Sequence, residues 1–468
     1  MIFKLIYFFD AMRHSAFFLM LFLLGACSCE KDSKDSNLTT ELSDPFELVF
    51  LDDIQFKPFK LGSVDCPNPK ACEAKVYKLK KEVQKHLKDV IKLPKDINFQ
   101  NISVLDNKVS VLIDGVSKQD SLLIQSYVNS NSSKFETKAD IEIQGRRPMM
   151  QAELFPQGRR PMMQEQLRYD DVNQTSKFIQ LIRGGVTSFP SISKRVWIVD
   201  TGVDTRHPDI IFEQAEIDLS KSFAMNSNDP FEDPIGHGTN IAGIIGASSA
   251  SPGANEYHMN GVYPRAKMVS LKVFDNKGKS TENRVKNALE YVLLNGASGD
   301  IVNLSIGQQG SGPNFCISGK IRDKIIALVD FGIDVVMSAG NEAEPSNTNF
   351  PGCINHEGTG GNTARTYTLG SVEVDASNNP LFSFFSNYEI NETDGIIDYL
   401  EPGEYIFTTG HLESDLIPKY TVVSGTSFSA AIFSGILYGN PNPVIWKTVQ
   451  RGAAPGQGDP VYIVGKIQ

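Results

Sequence analysis

Residues 196–204, VWIVDTGVD, carry a carboxylate and a glycine directly after an apolar run. This run, rich in β-branched side chains, indicates a buried strand that ends at Asp200. Residues 236–246 (GHGTNIAGIIG) carry His237 between two glycines, and residues 424–430 (SGTSFSA) carry Ser427 before an apolar helical stretch. A carboxylate, an imidazole and a hydroxyl together can activate a nucleophile. The three segments therefore predict Asp200, His237 and Ser427 as catalytic residues.

Apolar β-type runs alternate with helical stretches in the C-terminal two thirds of the chain. The predicted strands are residues 195–199, 268–274, 301–306, 335–338 and 367–372. Such strands, separated by helices, indicate an α/β fold with a parallel sheet covered on both faces. Sites in these sheets form beyond the carboxyl ends of the strands. Asp200 and Asn341 both fall there, which supports the same site independently of the motifs.

The three motifs and the SAGN segment at residues 338–341 resemble the subtilisin-like serine protease family, whose triad follows the order Asp, His, Ser. The resemblance covers roughly residue 177 to the C-terminus. It implies a subtilisin-like doubly wound parallel sheet and a serine endopeptidase that acts on protein or peptide substrates. Asn240 stands where the family usually has a second histidine, and Ala431 where it commonly has proline. Neither position carries the chemistry.

The resemblance also implies a role for each site residue. Asp200 orients His237, His237 is the general base, and Ser427 is the nucleophile. Asn341 is the side-chain donor of the oxyanion hole, and the Ser427 N–H is the backbone donor. Gly236 and Gly238 allow close backbone approach around His237. The implied substrate-binding residues are Leu304, Ser305, Ile306, Gly307, Ser338, Ala339 and Gly340, and residues 350–352 resemble a family turn whose proline is often cis.

Metal binding receives little support from the sequence. His207 is expected to be a surface residue, and the remaining histidines have no partners at metal-ligand spacing, which argues against zinc. Asp209 matches a position that binds calcium in some subtilases. Its usual companion loop is not recognisable in residues 246–260, so no cofactor is predicted.

Length and charge limit the function classes. A chain of 468 residues predicts two or more domains, and its hydrophobic share of 41% is ordinary for a globular protein. The net charge is −10, without a basic stripe. A protein that follows a phosphate backbone needs such a stripe, so a nucleic-acid partner is not expected.

The N-terminal residues have the pattern of a targeting segment. A short basic start after Met12 is followed by an apolar stretch at residues 16–24 and then by small residues. Residues 24–27 (LGAC) resemble a bacterial lipobox, which implies that Cys27 carries lipid. Residues 1–26 are then a lipoprotein-type signal peptide and residues 27–45 a polar tether. This predicts an exported protein, anchored to the membrane of the cell envelope by lipid; the alternative is a plain signal peptide with a chance cysteine.

Residues 46–143 are predicted to be a separate α/β unit with the order β-α-β-β-α-β. The expected strands are residues 46–51, 99–105, 108–113 and 139–144, and the expected helices are residues 72–90 and 118–128. This order is that of the ferredoxin-like motif. Inhibitor-type subtilase propeptides share the topology and the position, which implies a zymogen with its own propeptide as partner. The alternative is an unrelated α/β module.

An exact repeat follows this unit. Residues 144–151 and 157–164 both read QGRRPMMQ. A short duplication with proline and arginine pairs predicts a flexible linker over residues 144–176, before a peptidase domain at residues 177–468. Exposed linkers are where proteases cut, so this is a candidate processing region. The simpler interpretation is a solvated duplication without a recognition role.

Six cysteines are present, and an exported chain can form disulfides. The predicted pairs are Cys66 with Cys72 and Cys316 with Cys353, which leaves Cys29 besides Cys27. Sequence alone cannot fix the connectivity, and buried free thiols are the alternative.

Two other functions are compatible with parts of the sequence. One is a non-catalytic subtilase that serves as a surface binding module. The other is a lipid-anchored adhesin whose function lies in residues 46–164. The intact set of Asp200, His237, Asn341 and Ser427 favours the enzyme, because a pseudoenzyme usually lacks at least one such residue.

Overall fold

A computed structural model describes the backbone of most of the peptidase region and of several strands before it. The described residues are 46–50, 99–105, 108–113, 124, 135–139, 142–144, 152–155, 169–185, 191–224, 227–249, 258–310, 315–317, 319–359, 361–375, 377–390, 395–411, 419–450 and 461–466.

The helices, in chain order, are α1 (Lys177–Leu181), α2 (Gln214–Leu219), α3 (His237–Gly246), α4 (Glu282–Asn295), α5 (Lys320–Phe331) and α6 (Thr426–Gly439). The first half of the strands are β1 (Phe46–Phe50), β2 (Phe99–Leu105), β3 (Lys108–Ile113), β4 (Phe135–Ala139), β5 (Glu142–Gln144), β6 (Ala152–Phe155), β7 (Tyr169–Asp170), β8 (Thr175–Ser176), β9 (Val196–Asp200), β10 (Lys221–Ser222), β11 (Met268–Lys272) and β12 (Lys279–Thr281). The others are β13 (Ile301–Leu304), β14 (Gln308–Gln309), β15 (Asp334–Ser338), β16 (Asn349–Phe350), β17 (Thr366–Val374), β18 (Pro380–Phe382), β19 (Tyr399–Pro402), β20 (Ile406–Gly410), β21 (Lys419–Val423), β22 (Val444–Gln450) and β23 (Val461–Lys466).

The central sheet has the strand order β10-β11-β9-β13-β15-β17-β19-β23-β22, with β18 paired to β17. Neighbouring strands from β10 to β23 run parallel. Only β18 and β22 are added antiparallel. The predicted parallel α/β sheet is therefore confirmed. Along the sheet from β9 to β19, the strands follow in the order in which they occur in the chain. The loops that leave the carboxyl ends of β9 and β15 lead to the candidate site.

Helices cover both faces of this sheet. Alternate residues of β9 divide between two cores, as the twofold side-chain period of a strand requires. Val196 and Ile198 pack with α3 and α6 on one face. Trp197 and Val199 pack with α4 and α5 on the other. Both helices that carry a predicted catalytic residue, α3 and α6, therefore lie on the same face.

The strand ends differ slightly from those predicted. β11 ends at Lys272 and β13 at Leu304, each two residues before the predicted end. The chain leaves the sheet at these points to form the loops around the site, although the apolar sequence continues. β17 extends to Val374 because β18 pairs with its last residues.

The strands of the N-terminal unit form a four-stranded antiparallel sheet with the order β2-β3-β1-β4. The hairpin of β2 and β3 has the predicted bounds. The last strand, expected at residues 139–144, is instead β4, because Phe135–Ala139 pairs with β1. The predicted helices lie outside the described residues except for Ile124, so the ferredoxin-like topology stays a prediction.

Two strands that precede the peptidase domain in the chain pair with strands inside it. β5 runs antiparallel to β12, with Gln144 opposite Lys279. β6 runs antiparallel to β21, with Phe155 opposite Tyr420. β21 ends at Val423, four residues before Ser427. Strands on either side of residues 145–151 thus pair with strands of the peptidase domain.

Cys316 and Cys353 form the predicted disulfide, with a Cα–Cα distance of 5.8 Å. Cys27, Cys29, Cys66 and Cys72 lie outside the described residues, as do the signal peptide and the tether. Among the helices in the described ranges, none is long and apolar enough to cross a bilayer.

Candidate active site

Asp200 and His237 form a buried pair. Asp200 is the last residue of β9, and His237 is the first residue of α3. Their Oδ1 and Nδ1 atoms lie 2.7 Å apart, and the residues are 1% and 5% exposed. A carboxylate at this distance accepts the Nδ1 proton and fixes the tautomer, which leaves Nε2 to act as a base.

Glycines on both sides of His237 bring three backbone segments together, as predicted. Gly236 has φ +85°, a left-handed conformation that favours glycine, and a Cβ there would overlap the ring of His411. A Cβ on Gly238 would overlap the carbonyl oxygen of Gly202. The close approach of the loop after β9 to the start of α3 therefore depends on Gly238, and that of His411 depends on Gly236.

Asp233 and Thr201 hold the first turn of α3 in place. The Asp233 carboxylate accepts the N–H groups of Gly236 and Thr239, each at 2.9 Å. Thr201 Oγ1 accepts the Gly238 N–H at 2.9 Å, and the Thr201 N–H donates to Asp200 Oδ1 at 2.7 Å. These bonds satisfy donors that a helix N-terminus leaves without partners. They also fix the position of His237 relative to Asp200.

The charges around His237 set its proton affinity. Burial lowers the pKa of His237, but the charge and hydrogen bond of Asp200, together with the charge of Asp233, outweigh burial. The net effect is a pKa raised above the ordinary value of 6.5. The site therefore favours the imidazolium that a general base becomes after it takes a proton.

Ser427 lies in the first turn of α6, which begins at Thr426 after the N-cap Gly425. The first N–H groups of a helix have no acceptor within the helix, and the helix dipole is positive at this end. The Ser427 N–H therefore belongs to an end of α6 that favours a developing negative charge. Ser427 is 2% exposed, and the ring of the next residue, Phe428, lies 5.6 Å from the His237 ring between centroids.

The Ser427 hydroxyl points to Ser305, the residue that follows β13. Ser427 Oγ donates to the Ser305 carbonyl at 3.5 Å, and Ser305 Oγ donates to the Ser427 carbonyl at 3.0 Å. Ser427 and His237 both lie in the described part of the chain, and no hydrogen bond joins them. Catalytic hydrogen bonds are often long without substrate and shorten in the complex. The structure places the serine on α6 beside the helix that carries the histidine, without a hydrogen bond between the two residues.

Asn341 follows β15 and lies against the start of α6. Its Oδ1 accepts both the N–H and the hydroxyl of Thr426, each at 2.8 Å. Its Nδ2 lies 3.2 Å from the position that a Cβ on Gly425 would take. The amide nitrogen is thus the donor that remains available beside the backbone that leads to Ser427, which is the geometry an oxyanion donor needs.

The predicted substrate-binding residues are divided between core and site. Leu304 pairs with Met337 inside the sheet, and the side chains of Leu304 and Ile306 lie in the core. Ser338, Ala339 and Gly340 are buried; the Ala339 N–H bonds the Leu369 carbonyl, and the Gly340 N–H bonds Thr426 Oγ1. In this structure they position Asn341. Ser305 reaches Ser427, and Gly307 follows the end of β13. The peptide bond between Phe350 and Pro351 is cis.

The surroundings of Asp209 do not fit a cation. Its Oδ2 accepts the Met259 N–H at 2.7 Å and the Tyr420 hydroxyl at 2.6 Å, and its Oδ1 lies 3.3 Å from His258 Nδ1. Donors, rather than further oxygen ligands, therefore surround this carboxylate. His207, expected at the surface, is fully buried, because its ring packs edge-on against Tyr420. In the described ranges no group of three His, Cys, Asp or Glu residues could hold a metal ion.

Sequence reasoning missed Thr201, Asp233, Thr426 and Lys272, all of which bond to residues of the site or lie beside them. Asp233 carries a signal that could have been used, since an acidic residue just before a helix start is a common cap. Thr201, Thr426 and Lys272 carry no such signal, because only the sheet register and the packing of the helices show which site residues they contact.

Comparison with known proteins agrees with this geometry. The family model described as Subtilase family, peptidase S8, matches residues 194–438. This range contains the predicted catalytic residues Asp200, His237 and Ser427 and the predicted oxyanion donor Asn341. Subtilisin E from Bacillus subtilis (strain 168) is 30% identical over 158 residues, which cover 34% of this chain and 37% of that protein. The cuticle-degrading protease of Metarhizium anisopliae is 25% identical over 241 residues, 52% of each chain.

The major intracellular serine protease of Bacillus subtilis (strain 168) is 28% identical over 280 residues, which cover 57% of this chain and 75% of that protein. The chain thus spans about half or less of the first two relatives' length and three quarters of the third. A crystal structure of a cold adapted subtilisin-like serine proteinase matches with a TM-score of 0.40 and 22% identity, over 55% of this chain and 78% of that one.

Proposed function

The chain belongs to the subtilase family, and on that premise we propose that it is a serine endopeptidase that hydrolyses peptide bonds in proteins or peptides. The observation that carries the proposal is the buried Asp200–His237 pair, with 2.7 Å between Oδ1 and Nδ1, in one site with Ser427. A buried carboxylate bonded to Nδ1 is what a histidine base requires, and Asn341 supplies a donor for the oxyanion.

In the proposed reaction, Ser427 Oγ attacks the carbonyl carbon of the scissile peptide bond. The serine proton moves to His237 Nε2, because Nδ1 is already bonded to Asp200. The carbonyl oxygen becomes an oxyanion, which the Ser427 N–H and Asn341 Nδ2 stabilise. When the tetrahedral intermediate collapses, His237 gives the proton to the leaving amine, and an acyl-enzyme remains on Ser427.

Hydrolysis of the acyl-enzyme repeats these steps with water as the nucleophile. His237 Nε2 takes a proton from the water, the same two donors stabilise the second oxyanion, and the proton returns to Ser427 Oγ as the new carboxyl terminus leaves. Asp200 keeps its hydrogen bond to Nδ1 and stabilises the imidazolium. The raised pKa of His237 is consistent with this role.

We further propose that the chain is made as a zymogen whose residues 46–143 act as propeptide. The pairing of β5 with β12 and of β6 with β21 supports this proposal, because both link the preceding region to peptidase strands. β21 leads directly to the start of α6. Strand addition of this kind is a common way to hold an extended peptide.

Export and lipid attachment at Cys27 complete the proposal. Their support is the basic start, apolar run and LGAC segment of the N-terminus. The signal would bring the chain to the cell envelope, and the polar residues 28–45 would separate the anchor from the propeptide.

Covalent labelling of the full chain with a fluorophosphonate probe tests the enzymatic proposal. The probe phosphonylates a serine only where a base activates it, so we expect labelling of the wild-type chain and none of Ser427→Ala. Mass spectrometry of the labelled peptide must locate the adduct on Ser427. Absence of labelling in a chain whose propeptide has been removed would argue for the non-catalytic binding module.

A further inference from the structure

A fully buried lysine lies beside the catalytic aspartate. Lys272 is the last residue of β11 and is 0% exposed. Its register partner on the parallel strand β9 is Asp200. Register partners on parallel strands present their side chains to the same face of a sheet, so a lysine and the predicted catalytic carboxylate share one buried surface.

The ammonium group of Lys272 is bonded to the residue that follows Asp200. Lys272 Nζ donates to the Thr201 carbonyl at 2.7 Å in the protein interior. The Thr201 N–H donates to Asp200 Oδ1, and Thr201 Oγ1 accepts the Gly238 N–H. One residue, Thr201, therefore connects Lys272 with Asp200 and with Gly238, the residue that follows His237. A lysine is rarely fully buried without a partner, because the desolvation of its charge is costly.

Four carboxylates act on Lys272. Burial lowers the pKa of Lys272, and the negative charges of Asp233, Glu232, Asp275 and Asp200 oppose this effect only in part, so the pKa stays below its ordinary value of 10.5. Two of these, Asp200 and Asp233, are also the carboxylates that raise the pKa of His237. The lysine and the histidine are thus the two cationic partners of the same pair of buried carboxylates.

We propose that Lys272 is a positioning residue for the Asp200–His237 pair, which holds the Thr201 carbonyl and balances one of the two buried negative charges. This inference rests on the proposed protease function. Of the four carboxylates that act on Lys272, only Asp200 and Asp233 are buried. With neutral His237, these two carboxylates and Lys272 carry one net negative charge. When His237 takes the Ser427 proton, the cluster of two carboxylates, Lys272 and His237 becomes neutral, which favours the proton transfer. Because Lys272 balances one carboxylate, the cluster does not hold His237 protonated before the reaction.

Removal of the lysine charge must therefore change how His237 titrates. With two uncompensated carboxylates, the imidazolium is stabilised further and the pKa of His237 rises. A larger fraction of His237 is then protonated near neutral pH and cannot accept the serine proton. A merely structural lysine would lower activity or stability, but it would leave the pH at which activity is half-maximal unchanged.

The test is the pH profile of kcat/KM for wild type, Lys272→Met and Lys272→Arg. We expect the acid limb of Lys272→Met to move up by about one pH unit, the size of effect that one nearby charge produces at a partly screened site. Lys272→Arg should keep the wild-type limb, even where its size lowers kcat. Lys286→Met is the matched control, because Lys286 is 1% exposed but lies on α4, and its acid limb should not move.

An acid limb in Lys272→Met that coincides with the wild-type limb would overturn the inference and leave the proposed function intact. A wild-type chain without any hydrolysis would instead contradict the proposed function. The NMR titration of the His237 ring in Lys272→Met reports the same shift without any need for activity.

A measurement without substitution at Lys272 covers the case in which the variants do not fold. The lysine Cε resonances of the Ser427→Ala chain, labelled with ¹³C, report the charge of Lys272 directly. The inference requires the ammonium to stay protonated across the pH range of activity. A transition of Lys272 to the neutral amine within the pH range of activity would overturn it, since a neutral amine balances no carboxylate.

Discussion

Asn341 and Thr426 are joined by two hydrogen bonds, with Asn341 Oδ1 accepting both the N–H and the hydroxyl of Thr426 at 2.8 Å. These two donors identify the atom beside Thr426 as Oδ1 of the Asn341 amide, because the Nδ2 group could not accept either bond. The amide nitrogen is therefore the atom left to face a substrate oxyanion. Thr426 acts through Asn341 and precedes the nucleophile by one residue.

Asn341→Ala should lower kcat by roughly 10²–10³-fold and change KM little, because the oxyanion exists only after attack; the magnitude comes from an oxyanion-hole donor of subtilisin, itself a relative. Steady-state kinetics on a peptide substrate checks this. Thr426→Ser keeps both donors to Asn341 and should stay near wild type, whereas Thr426→Val loses the hydroxyl and should show a smaller drop in kcat. A change confined to KM would make Asn341 a ground-state contact.

Ser427→Ala should abolish probe labelling and reduce kcat by roughly 10⁶-fold, a magnitude known from the triad of subtilisin itself. The fold should persist, since Ser427 Oγ makes only a 3.5 Å bond to the Ser305 carbonyl. Ser434→Ala is the matched control on the same helix, where the hydroxyl bonds Asn303 Oδ1 at 3.0 Å and has no place in the reaction. Hydrolysis by Ser427→Ala at the rate of the Ser434→Ala chain would remove Ser427 as the nucleophile.

The sequence was sufficient for the elements whose chemistry is local. The apolar run before Asp200, the glycines around His237 and the helix after Ser427 each determine their own backbone, so the parallel sheet and the predicted site residues could be placed in advance. Lys272 and Asp233 could not, because their roles depend on which strand lies beside β9 and on how a loop returns to α3. Register and loop packing are long-range properties that a single sequence leaves open.

The same limit applies to the predicted substrate-binding segment, whose role stays a prediction. The segment around Leu304 matches a family pattern, but whether its backbone bonds a substrate or a neighbouring strand depends on sheet pairing. Here Leu304 pairs with Met337 in β15. Likewise, residues 139–144 contain a strand signal, but the strand that completes the N-terminal sheet is Phe135–Ala139, because β1 offers five paired positions to it.

The pH dependence should follow His237. Its raised pKa predicts that kcat/KM is lost as the pH falls through a value above the ordinary 6.5, because an imidazolium cannot accept the serine proton. Asp233→Asn removes one of the charges that raise this pKa and should move the acid limb to lower pH. A pH series of initial rates for both chains checks this; an Asp233→Asn limb that moves up, or not at all, contradicts the assignment.

The same shift has a consequence for stability with a defined sign. Since the folded pKa of His237 lies above its unfolded value, the contribution of protonated His237 to stability is complete below pH 6.5 and is lost as the pH rises through the folded pKa. Urea unfolding of the Ser427→Ala chain at several pH values measures it without autolysis. Substitution of His237 by Gln should remove this pH dependence.

Cys27→Ala should convert a membrane-associated chain into an exported chain that is free in the aqueous phase. The physical reason is that acyl chains at Cys27 supply apolar area that no described helix provides. Detergent phase partition and the mass of the N-terminal peptide measure the outcome. Cys29→Ala is the matched control two residues away and should partition like wild type. A wild-type chain found in the aqueous phase, with its mature N-terminus elsewhere, contradicts lipidation.

Self-processing should separate the propeptide from the peptidase between residues 144 and 177, and the two identical copies of QGRRPMMQ allow the site to be located. Gln144 ends β5, which pairs with β12 of the peptidase domain, and the first copy begins at this residue. The second copy begins after β6. Because β5 holds the chain on β12 as far as Gln144, the residues that directly follow Gln144 are the first that this pairing leaves open to cleavage. We therefore expect the cut in the first copy.

Replacing residues 145–151 by a Gly-Ser sequence of equal length should therefore delay or abolish processing, whereas the same replacement at residues 158–164 should not. N-terminal sequencing of the mature chain gives the cut directly. The full-length Ser427→Ala chain should stay uncut in a protease-deficient host and should be cut when a trace of active enzyme is added. Normal processing of the Ser427→Ala chain without added enzyme would mean that another protease cleaves it. Equal effects of the two replacements would mean that the pairing of β5 with β12 does not select the site.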